Sequence, residues 1–434
     1  MKFPLVLVLL WSFSLVSHAQ SVPPEPLSLP EALALARRNA PTLEAARARV
    51  EAAGARLRGA RALPNPTLAL AQPFAVSGER GATGGFDEGV LASQTIEGPG
   101  KRGARSAIAR GEQSAATFDL AASGTSLDFA VKSAYFDVLR AAAERDLARE
   151  TLENTGAFLV AARERERAGD APKRDVLRAQ TEVERAQTAL ETAVSEAQTR
   201  RATLASLTGA PEVLARPLSD ALAFSPLRFE VGALESYALE HRADVLGARA
   251  RLAARQAGIQ SAKNARRPDA FVEARVAQLL PQSGDARGTS LRVGVTLPLF
   301  DFGQIKAGVA EARANLGEES ANGLETLRVA RLEVETARQN LLTSQKAVQS
   351  FQNGRLERAK TLLDMARDGY AEGATSLLEV LDARAVFRAE QTDYFRALAA
   401  YNTAVADLER SVGGVLPVPS ASPDAAPSAG QPQP

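Results

Sequence analysis

The sequence predicts a mainly α-helical chain with a membrane β part, built as an internal tandem repeat. Three observations carry that expectation. Aromatic residues fill only 5% of the 434 positions while 45% are hydrophobic, and Ala, Arg, Glu and Leu dominate, the mix of long packed helices rather than of a compact core. Apolar residues recur at strict 3-4-3-4 spacing over long stretches, which is the seam of coiled-coil packing. Twice, about 200 residues apart, an alternating strand pattern runs directly into an Ala/Arg-rich helix.

At the N-terminus, Lys2, the apolar run Pro4 to Val16 and the small residues of Ser17-His18-Ala19 have the layout of an export signal. The run is shorter than the roughly 20 apolar residues that span a bilayer, so residues 1–19 are expected to be a cleaved signal peptide, with an uncleaved anchor as the alternative. Lys2 is the only Lys, Arg, Asp or Glu in that segment, and its removal leaves 51 basic against 51 acidic residues. A neutral chain has no electrostatic footprint for nucleic acid. The lack of any Cys excludes a lipid-anchored N-terminus, a disulfide framework and thiolate metal sites. No other apolar run approaches spanning length, so a membrane role must come from strands.

The expected first repeat covers 20–209. A Pro-rich lead, Ser21 to Pro26, precedes Ser28, Pro30 and Glu31, a capping-box spacing that opens a short helix ending near Asn39. Leu43, Ala46, Val50, Ala53, Leu57 and Ala60 form the seam of a second helix, which Pro64 and Pro66 stop. Thr67 to Phe74 reads as a strand, Ala75 to Gly89 as a Gly-rich loop, and Val90 to Ile96 as a second strand. From Arg102 the pattern is helical for roughly 60 residues, a rod near 90 Å long, until Gly169. Pro172 falls in the first turn of another helix, whose heptad seam runs from Val176 to Leu207 before Thr208-Gly209.

A connector, 210–231, leads into the second repeat, 232–414. Shifted by 202 positions, Leu43, Ala46, Val50, Leu57 and Ala60 become Val245, Ala248, Leu252, Ile259 and Ala262; shifted by 204, Gly169 becomes Gly373 and Asp175 becomes Glu379. In the third strand Val272, Ala274 and Val276 alternate with Glu273 and Arg275; in the fourth, Leu291, Val293, Val295, Leu297 and Leu299 alternate with polar positions that include Arg292. Pro298 and Asp301-Phe302-Gly303 then break into a helix with Lys306, Glu311 and Arg313 on its wet side, as Pro99-Gly100 does in the first repeat. The tail, 415–434, is Pro/Ala/Ser-rich and expected to be disordered.

Two hairpins supply four strands, and the smallest transmembrane barrels need about eight. Open edges are intolerable in lipid, so several chains must share one barrel, with the rods forming a ring of helices beneath it. The competing expectation is a soluble coiled coil capped by an ordinary hairpin.

These residues resemble the TolC-like outer-membrane factor family: Leu297-Pro298-Leu299-Phe300-Asp301 running into a helix, Gly369-Tyr370-Ala371-Glu372-Gly373 followed by Ser376 to Asp382, and the duplication itself. The resemblance implies a homotrimer with a twelve-stranded β-barrel in the outer membrane of a Gram-negative bacterium, continuing into a twelve-helix periplasmic α-barrel. It further implies an efflux duct that works with a periplasmic adaptor and an inner-membrane transporter. Gln94, Glu97, Pro99 to Arg102 and Arg105 resemble the heavy-metal (cobalt-zinc-cadmium) efflux branch; multidrug efflux and type I protein secretion are the alternatives within the family, and a periplasmic coiled-coil scaffold is the alternative outside it.

The family pattern places inward-pointing acids of a periplasmic gate at Glu379 and Asp382, with Asp175 as the matching acid of the first repeat and Tyr370 as a link between helix pairs. Glu379 and Asp382, three apart, share one helix face, and a trimer would set six carboxylates in a ring favouring cations. Ser376 and Glu379 also read as a plain capping box. Thr375 stands where well-known members carry an arginine that helps lock the aperture. Pro99 to Arg102 reads as a barrel-to-tunnel bend or as a basic, anion-seeking loop, and Arg292, Arg275 and Glu273 as lumen residues if the register is right. No nucleophile motif or phosphate loop occurs. After signal removal, His241 and Met365 are the only His and Met, so no enzyme, no cofactor and no soft-metal site is expected.

Overall fold

The computed structural model describes residues 25–71, 88–229, 231–279 and 286–416. The expected signal peptide, most of the Gly-rich loop and all of the tail beyond Leu416 lie outside them. The chain is a pair of similar halves. The first contains α1 (Leu29–Asn39), α2 (Pro41–Arg61), β1 (Thr67–Ala71), β2 (Glu88–Ile96), α3 (Lys101–Ala168) and α4 (Lys173–Thr208). The second contains α5 (Val231–His241), α6 (Ala243–Asn264), β3 (Asp269–Leu279), β4 (Ala286–Thr296), α7 (Gln304–Ser350), α8 (Leu356–Ala371) and α9 (Leu377–Val412).

Local sequence explains most boundaries. Ser28 caps α1 by accepting a hydrogen bond from the Glu31 amide at 3.4 Å, and Pro41 opens α2, where a missing N–H costs nothing. Gly169, Gly209 and Gly413 end α3, α4 and α9 in the left-handed region, the conformation that glycine adopts without steric penalty. Pro172 is the N-cap of α4 rather than part of its first turn. The second helix of the first repeat buries Leu43, Ala46, Ala53, Leu57 and Ala60 as its spacing requires.

Other boundaries moved. β2 begins at Glu88, ahead of the expected Val90. β4 stops at Thr296, so Leu297 and Leu299, expected to prolong it, leave the ladder; Pro298 lacks the N–H that a ladder needs. Helix α5 starts at Val231, the last residue assigned to the connector. The second long rod is not continuous: Asn353 (ψ 26°) and Gly354 (φ 84°) interrupt it between α7 and α8. Phe351 stays buried at the break against Tyr394, 5.5 Å between ring centroids, and Arg355 pairs with Glu390 at 2.6 Å. Gln304 to Ala371 nevertheless covers the same length as α3, 68 residues.

Each half has its own core, and the two correspond. Val131, Ala134 and Val138 of α3 pack with Ala32, Ala36 and Leu204; Val334, Ala337 and Leu341 of α7 pack with Leu234, Ala238 and Leu408. These positions differ by 202 to 204 residues, the repeat offset found in the sequence. The short helices α1 and α5 thus wrap the middle of the rods. Tyr135, fully buried, ties the connector in by donating toward the Leu27 carbonyl and the Asp220 carboxylate, at 2.8 and 2.7 Å.

Candidate functional site

The four strands form one antiparallel sheet in the order β1-β2-β3-β4. Its register decides what each face carries, because paired residues project to the same side. Leu68 pairs with Ala92, Leu70 with Val90, Val90 with Val276, Ala274 with Leu291, Val272 with Val293 and Ala270 with Val295. That face is mostly apolar, with Gln94 and Thr289 as polar members, and it is uncovered: Leu70 is 78% and Val293 70% exposed. The opposite face carries Ser93, Glu273, Arg275, Ser290 and Arg292. Glu273 and Arg292 are register partners and form an ion pair at 3.6 Å. A sheet apolar on its exposed side and charged on its other side has the division expected of a strand wall between lipid and water.

The two strand-to-helix junctions differ in how they are held. In the first, Gly100 (φ 81°) is the N-cap of α3. Asp269 accepts from the Gly98 amide at 2.7 Å and from Lys101 Nζ at 2.8 and 2.9 Å. Arg105 pairs with Glu97 and donates to the carbonyls of Ala60 and Ala62 at 3.1 and 3.0 Å. Asn264 donates to the Gly100 carbonyl, Arg267 to that of Pro99, and Gln94 to that of Pro64. Gln94, Glu97, Lys101 and Arg105, the positions that suggested a metal-efflux branch, are therefore the residues that build the bend, and no anion is needed to explain their charges.

The second junction lies beyond the edge strand β4 and, among the described residues, its hydrogen bonds are local. Gly303 (φ 88°) caps α7, and Asp301 accepts from the Ile305 amide at 2.9 Å. Phe302, with φ 48°, is 95% exposed and Phe300 83%. Pro298, Leu297 and Leu299 share this uncovered stretch.

At the other end of the rods lie the turns α3–α4 and α8–α9. Ser376 accepts from the Glu379 amide at 3.4 Å and its hydroxyl donates to the Glu379 carboxylate at 3.2 Å, so the N-cap is formed with the two side chains bonded to each other, and Glu379 is exposed. Asp382, one turn on, is exposed in a groove of about 840 Å³ over α3 between α4 and α9, with Arg178, Arg185 and Arg388 among its walls. Asp175 is placed differently: its side chain is only 13% exposed and stands 3.5 Å from Arg174. Thr375 donates to the Ala366 carbonyl at 3.1 Å and so closes the turn locally.

Tyr370 crosses between helix pairs. Its ring lies 6.0 Å from that of Phe158 on α3, and the Arg165 guanidinium sits 4.7 Å over it. Sequence reasoning missed Phe158, Arg165 and Arg384, which meet here. A signal was present: Arg384 interrupts the buried stripe Leu377, Val380, Ala383 that continues toward Phe387, where an arginine is out of place.

Higher on the rods an ion-pair network joins three helices. Arg140 of α3 contacts Glu144 at 2.9 Å and Glu196 of α4 at 3.6 Å, and Arg396 of α9 reaches Glu144 at 3.1 Å. His241 stacks on Tyr237 at 3.9 Å and contacts that residue's own carbonyl. Among the described residues, no group of three His, Cys, Asp or Glu is placed to hold a metal ion, and no helix is long and apolar enough to cross a membrane.

Comparison with known proteins gives a consistent set. The profile of the outer membrane efflux protein family matches residues 32–210 and 234–414, the two halves seen in the fold. The pyoverdine export outer membrane protein OpmQ of Pseudomonas putida is 28% identical over 93% of this chain and 91% of its own; its namesake in Pseudomonas aeruginosa is 30% identical over 85% and 79%. Among solved structures, the outer membrane protein VceC of Vibrio cholerae superimposes with a TM-score of 0.73 at 20% identity, covering 89% of this chain and 96% of that one. CusC gives 0.75 at 21% identity over 89% and 92%.

Proposed function

This chain belongs to the outer membrane efflux protein family, and on that premise we propose that three copies close one twelve-stranded barrel over a twelve-helix tunnel, the exit duct of a tripartite export machine. The protein is a channel of the outer membrane reaching into the periplasm, not an enzyme. The observation that supports the trimer is the sheet: an exposed apolar face bounded by two free edges, β1 and β4. In lipid those edges must be paired, and β1 of a second copy on β4 of the first satisfies both the edge and the uncovered Leu297–Phe302 stretch. Glu273, Arg275 and Arg292 then line the lumen. At the periplasmic end the exposed carboxylates of Glu379 and Asp382 form the ring that favours cations, with Asp175 behind them. A periplasmic adaptor and an inner-membrane transporter supply the energy and choose the cargo.

Two cargoes compete. Similarity to two pyoverdine exporters supports a secreted pyoverdine-type compound, which we place first. Heavy-metal cations, suggested by the Gln94 to Arg105 pattern, come second because those residues already have a structural task at the bend. Deleting the gene in its host and restoring it tests both. Loss of the secreted compound from the medium, with unchanged growth on cobalt, zinc and cadmium salts, supports the first; metal sensitivity with normal secretion supports the second. Sensitivity to dyes and antibiotics alone would defeat both and leave a drug duct.

A further inference from the structure

Between the C-terminal end of α3 and the α8–α9 turn lies a pocket of about 560 Å³. Phe158 and Arg165 of α3, Arg367 and Tyr370 of α8, and Arg384 of α9 form its walls, and no carboxylate lines it. Three arginines line one cavity. Arg165 lies over the Tyr370 ring and Arg384 over the Phe158 ring, the latter at 5.5 Å, so the aromatics hold two of the three in position.

Among the described residues, none of the three has an anionic partner. The Nε and one Nη of Arg384 are buried and make no hydrogen bond. Among the described residues, the side chains of Arg165 and Arg367 make no hydrogen bond or ion pair. Burial, and then the neighbouring Arg367 charge, lower the pKa of Arg384. Other partly buried arginines of the rods have acceptors: Arg140 pairs with Glu144, Arg338 with Glu335, and Arg201 donates to the Arg216 carbonyl. An unpaired buried charge is strongly destabilising, and like charges gathered in one cavity add to the cost. An anion removes both penalties. Guanidinium forks match the oxygens of carboxylates and phosphates and bind them through paired, charge-assisted hydrogen bonds.

We propose that this pocket binds a small dissolved oxyanion, of phosphate or carboxylate type, held by Arg165, Arg367 and Arg384. Because its walls come from both helix pairs, the bound anion cross-links α3 to α8 and α9 and favours the arrangement in which the pairs touch. The proposal is independent of which cargo the duct carries.

Titration calorimetry on the purified full-length protein in detergent tests it, with inorganic phosphate as one probe and acetate as the other, each against chloride at equal ionic strength. Saturable binding of either probe to the wild type is expected, and the responding probe identifies the class. Arg384→Met keeps an unbranched side chain at this position while removing a half-buried charge whose Nε and one Nη have no partner, so the fold should tolerate it. It should weaken binding at least about tenfold, the loss of one charge-assisted hydrogen bond. Arg367→Gln, at an exposed position, should weaken it as well. Thermal unfolding gives a second reading: the probe raises the wild-type midpoint saturably, whereas Arg384→Met follows only the general salt effect. Absence of saturable binding to wild type, or equal affinity in wild type and both variants, overturns the proposal.

Discussion

Replacing Gly98 with Ala should disable the first strand-to-helix junction. Gly98 is buried, and a Cβ there would stand 2.2 Å from the Pro268 carbonyl oxygen and 3.4 Å from Arg267 Cβ. Ordinary contact begins at 3.4 Å, so two backbone segments must separate by more than 1 Å, roughly the shortfall that separates overlap from contact. The position needs glycine for space rather than for a left-handed φ. Gly98 also donates to Asp269 at 2.7 Å, and the same carboxylate takes Lys101; separation by that amount takes the amide out of hydrogen-bonding range. Overpacking costs about 1–3 kcal/mol and a lost hydrogen bond to a charged group about 1.5–3 kcal/mol, together about 3–5 kcal/mol per chain. Gly103→Ala is the control: nothing lies within 4 Å of its Cβ, and in a helix the change should be neutral or stabilise by up to about 1 kcal/mol. The assay is the amount of folded protein in the outer-membrane fraction and its thermal midpoint after purification. Wild-type abundance and midpoint in Gly98→Ala would refute the reasoning.

Three further outcomes follow from the same contacts. Burial raises the pKa of Asp244, but hydrogen bonding and charge from Arg242 outweigh it, so the net shift is downward. Its stabilising contribution is therefore complete above the unfolded value of about 3.9 and lost as pH falls through the lower folded value; Asp244→Asn should flatten the fall in thermal midpoint below about pH 4, and an unchanged acid limb would remove Asp244 as its source. Tyr135→Phe should cost about 1–2 kcal/mol by removing the buried hydroxyl that bridges the Leu27 carbonyl and the Asp220 carboxylate, and amide exchange over 25–40 should quicken, whereas unaltered exchange would mean the tether is not needed. The double change Glu379→Ala and Asp382→Ala should reduce cation preference in single-channel recordings, and retained selectivity would detach both acids from the gate.

Much of this architecture was legible in the residues. Seam spacing located α2, α4 and, through the repeat offset, α6, because a helix buries what recurs every three to four residues, and the same offset then found its counterpart in the two cores. Period-two alternation placed Glu273 and Arg275 on one face of β3, since a strand's geometry leaves no other option; that Arg292 joins them was decided by the β3–β4 register. The β4 boundary was less legible. Leu297 and Leu299 keep the alternation, but a ladder also requires a neighbour and an N–H, and periodicity reports neither. The break at Asn353-Gly354 carried only a turn dipeptide, which propensity alone ranks as tolerable within a strong helix.

The sequence by itself determined the duplication, the helix seams, the alternation along each strand and the glycine caps, all of them patterns carried by residue order along the chain. Only the tertiary structure decided that Gln94 to Arg105 hold a bend, that Asp175 is shielded while Asp382 faces a groove, and that Arg165, Arg367 and Arg384 share one pocket without a counter-charge. Those depend on which residues meet across α3, α6, α8 and α9, and the energy of a charge is fixed by its burial and its neighbours, which no local pattern contains.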